Sequence, residues 1–197
     1  MTGWWVFVTA YLIGAVPTAY LAGLWCKGVD VRRHGSGNVG ATNAVRVLGK
    51  KIGIIVFVID LCKGLAPVAF LSPLSGAVDP DLARILLALC AVAGHVFTPF
   101  LGFKGGKGIA TGAGALLAGF PALFALCTVV WIIVYVPTRI VSISSLAGLA
   151  ALAIAGLFTE YDVQVKGLFF LIFAFLTWTH RSNIARLRQG QETSFKK

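Results

Sequence analysis

The chain has 197 residues, of which 58% are hydrophobic and only 12% are charged, and its formal net charge is +10. A soluble domain of this size would hold roughly twice that charged fraction. The apolar residues form runs close to the ~20 residues that a helix needs to cross ~30 Å of hydrocarbon. This composition excludes an ordinary soluble protein and predicts an all-α, polytopic integral membrane protein.

Seven apolar runs follow one another along the chain. The first could be mistaken for a signal peptide, but no basic segment precedes it and no cleavage-like motif ends it, so we expect it to remain as an anchor. The fourth is too short by itself, and residues 109–136 could form either one long helix or two helices broken at residues 119–121. The runs cover residues 4–25, 52–74, 82–100, 109–118, 120–136, 141–158 and 163–178.

Basic residues decide between these two arrangements, because Lys and Arg in short loops concentrate on the cytoplasmic side. Residues 27–51 hold six of them, and the tail after residue 180 is also basic. One helix over residues 109–136 would put Lys107 and Arg139 on opposite sides. We therefore predict seven transmembrane helices in a single domain, residues 1–197, with the N-terminus outside and the C-terminus cytoplasmic. In this arrangement all basic residues lie on the cytoplasmic side except Lys63, Arg84 and Lys166.

A glycine-rich segment, GSGNVGATN at residues 35–43, lies between the first two runs and is followed by Arg46. It contains a GxGxxG pattern, but the chain offers no βαβ unit in which that pattern binds a dinucleotide. Small residues can still expose backbone N–H groups at the start of a following helix, whose dipole favours an anion. The alternative is a flexible turn with an interfacial arginine.

A second glycine-rich segment, FKGGKGIATG at residues 103–112, precedes the fourth run. Lys104 and Lys107 stand among three glycines there, which again places positive charge and backbone donors around a concavity. No glycine stands at the P-loop position before a Gly-Lys-Ser/Thr triplet, so nucleotide binding is not indicated. The alternative is two lysines that only enforce topology.

Several polar residues lie within or at the ends of the apolar runs. His95 is near the cytoplasmic end of the third run, and His180 and Asn183 form an i, i+3 pair after the seventh. Asp60 and Lys63 lie inside the second run, where charges are costly and indicate either function or a structural ion pair. No HExxH or cysteine–histidine spacing occurs, so neither a metal nor a cofactor is expected.

Three segments, GSGNVGATNAVR, GHVFTPFLGFKGGKGIATG and HRSNIARLRQGQE, resemble the three motifs of the bacterial acyl-phosphate:glycerol-3-phosphate acyltransferase family. The length and run layout are similar over essentially the whole chain. The resemblance implies a seven-helix enzyme of the bacterial inner membrane, active on the cytoplasmic side. It would transfer an acyl chain from acyl phosphate to the 1-hydroxyl of sn-glycerol 3-phosphate, giving lysophosphatidic acid and phosphate as the first acylation step of phospholipid synthesis.

The resemblance also implies which residues form the site. Its partners would be glycerol 3-phosphate, acyl phosphate and membrane lipids, with no nucleic acid, and we expect a monomer. Glu192 would have a structural role. The catalytic residues would be Arg46, His95, Lys104, His180 and Asn183. The substrate-binding residues would be Ser36, Gly37, Asn38, Gly40, Thr42, Asn43, Gly105, Gly106, Lys107, Gly108, Thr111 and Ser142.

The group that takes the hydroxyl proton stays open. Other glycerolipid acyltransferases use a histidine with an aspartate five positions later, and no histidine here has that partner: His34, His95 and His180 are followed at that spacing by Val39, Phe100 and Ala185. Either His95 or His180 is a general base, or a substrate phosphate oxygen removes the proton, as the resemblance favours. A transporter for an organic phosphate is the alternative function, although the chain shows no convincing internal repeat.

Overall fold

A computed structural model describes residues 3–76 and 79–195. This part of the chain contains helices and no β-strand, which confirms the all-α prediction. The chain forms two compact units, Met1–Gly119 and Phe120–Lys197. Each unit is described by itself below, and the single domain over residues 1–197 stays a prediction.

Within residues 3–76 and 79–119, the first unit holds six α-helices. They are α1 (Trp5–Ala15), α2 (Thr18–Lys27), α3 (Ala41–Leu48), α4 (Lys50–Ala66), α5 (Pro80–Val96) and α6 (Ile109–Gly119). One π-helical turn, Pro67–Leu71, and one 3-10 turn, Ser72–Leu74, extend α4. A further 3-10 turn, Pro99–Leu101, follows α5.

Pro17 interrupts the first apolar run, which the sequence analysis predicts as a membrane anchor. The helix α1 ends at Ala15 and α2 begins at Thr18, and the two together form one candidate membrane span, Trp5–Lys27. Proline has no N–H to donate, and its ring clashes with the preceding turn of a helix. The carbonyl groups of Ala15 and Val16 accept hydrogen bonds from side chains instead, at 2.6 Å from Thr98 Oγ1 and 2.6 Å from Lys63 Nζ.

Glycines allow two pairs of helices in the first unit to approach backbone to backbone. A Cβ on Gly14 of α1 would collide with the backbone of α5, and a Cβ on Gly94 of α5 would collide with that of α1. Gly64 and Gly114 have the same reciprocal relation between α4 and α6. Small residues allow this close packing between membrane helices. The end of α5 is thereby held beside the α1–α2 break.

The described part of the second unit, residues 120–195, holds four α-helices: α7 (Pro121–Thr138), α8 (Val141–Leu157), α9 (Val163–Thr179) and α10 (Arg181–Arg188). Since α6 ends at Gly119 and α7 begins at Pro121, the predicted break at residues 119–121 is confirmed. Proline suits the first position of a helix because its missing N–H would have no intrahelical partner there. Phe120 is buried, and its ring packs edge-on against Phe169 with the ring centres 4.9 Å apart.

Four helical stretches in the described ranges are long and apolar enough to cross a membrane. They are Trp5–Lys27, Lys50–Leu74, Pro80–Leu101 and Pro121–Thr138. The bent pair of α9 and α10, which meet at 59°, makes a fifth if it is counted as one span. The helices α6 and α8 are apolar but shorter, with 11 and 17 residues. A chain that crosses a membrane several times fits these lengths, whereas seven crossings and the orientation of the termini stay predictions.

Candidate functional site

The first glycine-rich segment is a loop that leads into α3. This helix begins at Ala41, as predicted, directly after the glycine-rich turn. Gly35 and Gly37 have φ angles of 61° and 70°, a left-handed conformation that glycine adopts without steric cost. Ser36 and Gly37 are exposed, and a Cβ on Gly35 would collide with Asn43 Oδ1. The loop is therefore shaped by its glycines and closed over a side chain of α3.

Asn43 holds this loop in place. Its Oδ1 accepts a hydrogen bond from the backbone N–H of Ser36 at 2.8 Å. Its Nδ2 donates to the carbonyl oxygens of Val31 and His34 at 3.0 and 3.1 Å. The side chain is buried, and these bonds use three of the four that an amide can make. The structure therefore assigns Asn43 a loop-organising role, and direct substrate contact by Asn43 stays a prediction.

The remaining predicted residues of the first segment are partly accessible to solvent. Asn38, Gly40 and Thr42 are half-buried, and so is Arg46 in the last turn of α3. Thr42 and Arg46 are four residues apart and therefore share one face of the helix. A guanidinium on this face supplies a fork of donors suited to phosphate.

The second glycine-rich segment folds back over the end of α5. The backbone N–H groups of Gly105 and Gly106 donate to the carbonyl oxygens of Val96 and His95 at 2.9 and 3.0 Å. These bonds satisfy carbonyl groups that the end of a helix otherwise leaves without partners. Lys104 is exposed, Lys107 is half-buried, and Gly106 and Gly108 are buried. The loop thus presents its two lysines while its glycines pack inward.

The two glycine-rich segments are neighbours within the first unit. A Cβ on Gly106 would stand 2.9 Å from the carbonyl oxygen of Val39 and would collide with Nε2 of His95. Val39 and Leu101 also belong to one buried apolar cluster. Gly106 is therefore wedged between the first loop and the His95 ring, and only a residue without a side chain fits there.

His95 also contacts the buried ion pair inside the membrane span. Lys63 Nζ lies 2.6 Å from Asp60 Oδ1, which confirms the predicted pairing of these two residues. The same Nζ lies 3.5 Å from His95 Nδ1. Asp60 Oδ1 lies 3.8 Å from the same Nδ1. An ammonium group can only donate, so a hydrogen bond from Lys63 to Nδ1 would place the proton of the neutral imidazole on Nε2. The sequence analysis missed this contact, because residues 63 and 95 are far apart in the chain.

Thr111 lies in the first turn of α6, just after the second segment. Its side chain is fully buried, and its Oγ1 has no hydrogen-bond partner within residues 3–76 and 79–195. A buried hydroxyl usually has one. A ligand oxygen beside the start of α6 would satisfy this group.

In the second unit, Glu192 connects the tail to two helices. Ser142 Oγ donates to its Oε1 at 2.8 Å, Arg186 Nε donates to its Oε2 at 2.6 Å, and Asn183 Nδ2 donates to its Oε1. Burial raises the pKa of Glu192, but the hydrogen bonds from Asn183, Arg186 and Ser142 outweigh it and hold the pKa below its ordinary value. These contacts support the structural role predicted for Glu192.

His180 stands at the bend between α9 and α10 and is buried. Its Nδ1 lies 2.8 Å from the carbonyl oxygen of Leu176. A carbonyl oxygen only accepts, so Nδ1 carries the proton and Nε2 carries the lone pair of the neutral ring. This tautomer is the opposite of the one that a hydrogen bond from Lys63 would give His95.

The predicted site residues fall into two sets. One set belongs to the first unit and comprises both glycine-rich segments, Arg46, His95 and Thr111. The other belongs to the second unit, where Ser142 and Asn183 meet at Glu192 and His180 stands at the start of α10. Joint contact of both sets with one substrate stays a prediction.

Comparison with known proteins gives concordant results. Residues 4–190 match the family model described as glycerol-3-phosphate acyltransferase. The chain is 40% identical to the glycerol-3-phosphate acyltransferase of Myxococcus xanthus over 185 residues, which cover 94% of this chain and 95% of that protein. It is 42% identical to the glycerol-3-phosphate acyltransferase of Thermotoga petrophila over 193 residues, which cover 96% of this chain and 95% of that protein.

Solved structures agree with these relatives. The fold is similar to that of PlsY (YgiH), an integral membrane glycerol 3-phosphate acyltransferase, in its glycerol 3-phosphate form, with a TM-score of 0.88 and 35% identity. This match covers 98% of this chain and 95% of that chain. The lysophosphatidic acid form of the same protein matches with a TM-score of 0.87 and the same identity and coverage.

Proposed function

Since the chain belongs to the glycerol-3-phosphate acyltransferase family and is an integral membrane protein, we propose that its acyl donor is acyl phosphate. The acyl group would pass to the 1-hydroxyl of sn-glycerol 3-phosphate. The products would be lysophosphatidic acid and inorganic phosphate, which is the first acylation step of phospholipid synthesis. The observation that carries this proposal is the wedging of Gly106 between Val39 and His95, because it joins the two glycine-rich loops.

Two phosphate-bearing reactants need two places that stabilise negative charge. The first unit offers the start of α3, with Arg46 on the last turn of the same helix, and the start of α6, with Lys104 and Lys107 in the loop before it. At each helix start, backbone N–H groups and the helix dipole favour an anion. The unpartnered hydroxyl of Thr111 adds a donor beside the second place. Two helix starts with basic residues on or before the same helices are what acyl transfer between two phosphate compounds requires.

The chemistry needs orientation more than activation, because acyl phosphate is a mixed anhydride. The substrate hydroxyl oxygen forms a bond to the acyl carbon, the bond from that carbon to the phosphate oxygen breaks, and the hydroxyl proton leaves with phosphate. Holding the hydroxyl oxygen next to the acyl carbon in the reactive orientation can lower the barrier by several kcal/mol. Donors around the glycine-rich loops would stabilise charge on the carbonyl oxygen as it develops. No covalent acyl-enzyme is needed.

The contacts of His95 help to decide which group accepts the proton of the substrate hydroxyl. With Nδ1 accepting from Lys63, the neutral ring has its proton on Nε2 and can donate there but not accept. His95 is therefore poorly arranged as a general base. We propose that a phosphate oxygen of the substrate takes the hydroxyl proton, and His180, whose Nε2 has a lone pair, is the alternative.

For the membrane arrangement, we propose seven transmembrane helices in a monomer of the bacterial inner membrane. The N-terminus would be outside, and the C-terminus and the active site would be on the cytoplasmic side. The distribution of Lys and Arg supports this orientation. The helix break at residues 119–121 supports the count, because it separates the fourth apolar run, α6, from the fifth, α7.

One assay with purified protein in detergent tests the function. Phosphate release from acyl phosphate is measured with and without glycerol 3-phosphate, with acyl-CoA and acyl-carrier protein run in parallel as donors. We expect release only when glycerol 3-phosphate and acyl phosphate are both present. Acylation from acyl-CoA or acyl-carrier protein alone would overturn the donor assignment. Uptake of glycerol 3-phosphate into proteoliposomes without any acylation would favour the transporter.

A further inference from the structure

The charged pair inside the second membrane span has no role in the reaction described so far. The side chains of Asp60, Lys63 and His95 are 2%, 6% and 7% exposed. Two charges buried at membrane depth carry a large desolvation cost. A structural ion pair alone is a weak explanation, because well-packed apolar residues in place of such a pair often stabilise a protein equally well. The contacts of the pair indicate a more specific role.

Lys63 Nζ has three neighbours that can accept a hydrogen bond. They are Asp60 Oδ1 at 2.6 Å, the carbonyl oxygen of Val16 at 2.6 Å and His95 Nδ1 at 3.5 Å. The Val16 carbonyl is available because Pro17 ends the helical hydrogen-bonding pattern of α1. An ammonium group has three N–H donors. The Val16 carbonyl and the Asp60 carboxylate therefore hold the Lys63 ammonium group beside His95 Nδ1, which also lies 3.8 Å from Asp60 Oδ1.

The opposite edge of the His95 ring faces the second glycine-rich loop. A Cβ on Gly106 would collide with Nε2 and would crowd the neighbouring ring carbon Cδ2, so this edge lies directly against the loop backbone. The carbonyl oxygen of His95 also accepts the N–H of Gly106 at 3.0 Å. Backbone and side chain of the same histidine thus contact one glycine. The orientation of the imidazole decides which ring nitrogen this loop meets.

We propose that Asp60 and Lys63 are positioning residues for acyl transfer, which hold the His95 imidazole with its Nε2–H toward the loop of residues 104–108. This rests on the proposed function, and it assigns the phosphate of glycerol 3-phosphate to that loop, which contains Lys104 and Lys107. Lys63 fixes the tautomer by donating to Nδ1, and Asp60 fixes Lys63. A hydrogen bond to one ring nitrogen of a histidine commonly decides which of the two nitrogens carries the proton. The Nε2–H then donates to a non-bridging phosphate oxygen.

The first test reads the tautomer and needs no activity. In protein labelled with ¹⁵N in histidine rings, two-bond ¹H–¹⁵N spectra distinguish a protonated nitrogen from one with a lone pair. We expect Nε2–H for His95 in the parent protein and loss of that single tautomer in Lys63→Met. Arg84→Met is the matched control, because Arg84 forms an i, i+3 ion pair with Asp81 in the same first unit, at a more exposed place. An unchanged His95 spectrum in Lys63→Met would overturn the proposal.

Removal of Lys63 alone leaves a buried carboxylate without a partner, and the variant could fail to fold. The double variant Asp60→Leu/Lys63→Met avoids this, because it replaces both charges by apolar side chains of similar size. It removes the donor to Nδ1 in the same way. The loss of a single His95 tautomer is expected in the double variant too, and retention of Nε2–H there contradicts a role for the pair.

The second test separates positioning from stability by kinetics. Losing a hydrogen bond to a charged group should raise the KM for glycerol 3-phosphate about tenfold or more in the double variant, with the KM for acyl phosphate changed less than about twofold. In a His95→Phe background, the same two substitutions should have no further effect. An equal additional loss in that background would show that the pair does not act through His95. If no variant, including the parent, releases phosphate, the proposed function fails while the tautomer test still stands.

Discussion

Gly106 lies so close to Val39 that a Cβ at position 106 would stand 2.9 Å from the carbonyl oxygen of Val39. The two residues are 67 positions apart in sequence and belong to the two glycine-rich loops. Their contact fixes the distance between the start of α3 and the start of α6. Since both helix starts are the proposed anion sites, this contact sets the geometry on which acyl transfer depends.

Gly106→Ala should abolish most of the transfer activity. The added methyl group would displace either His95 or the first loop, and a displacement of about 1 Å at a reacting centre can cost about 100-fold in rate. Glycerol 3-phosphate-dependent phosphate release measures the effect. Gly167→Ala is the matched control, since a Cβ there meets nothing within 4 Å. Equal activity of the two variants would contradict the tight packing of Gly106 between Val39 and His95.

Asn43→Ala should loosen the first loop. The substitution leaves the N–H of Ser36 and two carbonyl groups without their partner, at a cost of about 1–3 kcal/mol for each group that stays buried. Hydrogen exchange of residues 34–37 should become faster, whereas exchange in α9 should not change. Exchange at the parent rate in this loop would show that other contacts hold it.

Arg46→Ala and Asn183→Ala should each abolish measurable transfer and leave a folded protein that can be extracted from the membrane. Arg46 provides a guanidinium on the last turn of α3, on the same helix face as Thr42, and Asn183 is the predicted catalytic amide of the second unit. Lys197→Ala, which lies outside the described residues, is the control and should keep parent activity. Parent turnover in either of the first two variants would remove that residue from the site.

The Glu192 contacts should make the tail sensitive to acid. Because the pKa of Glu192 in the folded state lies below its ordinary value of 4.5, ionised Glu192 contributes stability above that value. This contribution is lost as the pH falls through the lowered pKa. Limited proteolysis of residues 189–195 should therefore accelerate on acidification below about pH 4.5.

Glu192→Gln provides the comparison for this acid sensitivity. A glutamine does not titrate, so cleavage of the tail in this variant should be faster than in the parent at neutral pH. It should also change little between neutral and acidic pH, once the intrinsic pH dependence of the protease is subtracted with an unstructured peptide. A parent-like pH profile in Glu192→Gln would assign the acid sensitivity to another group.

Several features could be predicted from the sequence because they depend on local composition and order. Apolar runs of membrane length predict helices wherever they occur, and Pro121 after Gly119 predicts the α6–α7 break. Asp60 and Lys63 share a helix face through their spacing alone, so their pairing is also predictable. Pro17 carried the same kind of local signal for the break in the first run, which the sequence analysis missed.

The sequence by itself determined the helical class, the family and the two glycine-rich segments, because these depend on short-range composition and on motifs read in order. Only the tertiary structure decided what the polar side chains contact. It assigned Asn43 to its own loop, Ser142 and Asn183 to Glu192, and Lys63 to His95. These contacts join residues whose proximity arises from helix packing, which short-range periodicity does not encode. Helix packing in the first unit depends in turn on small residues such as Gly94 and Gly114, at which backbones meet.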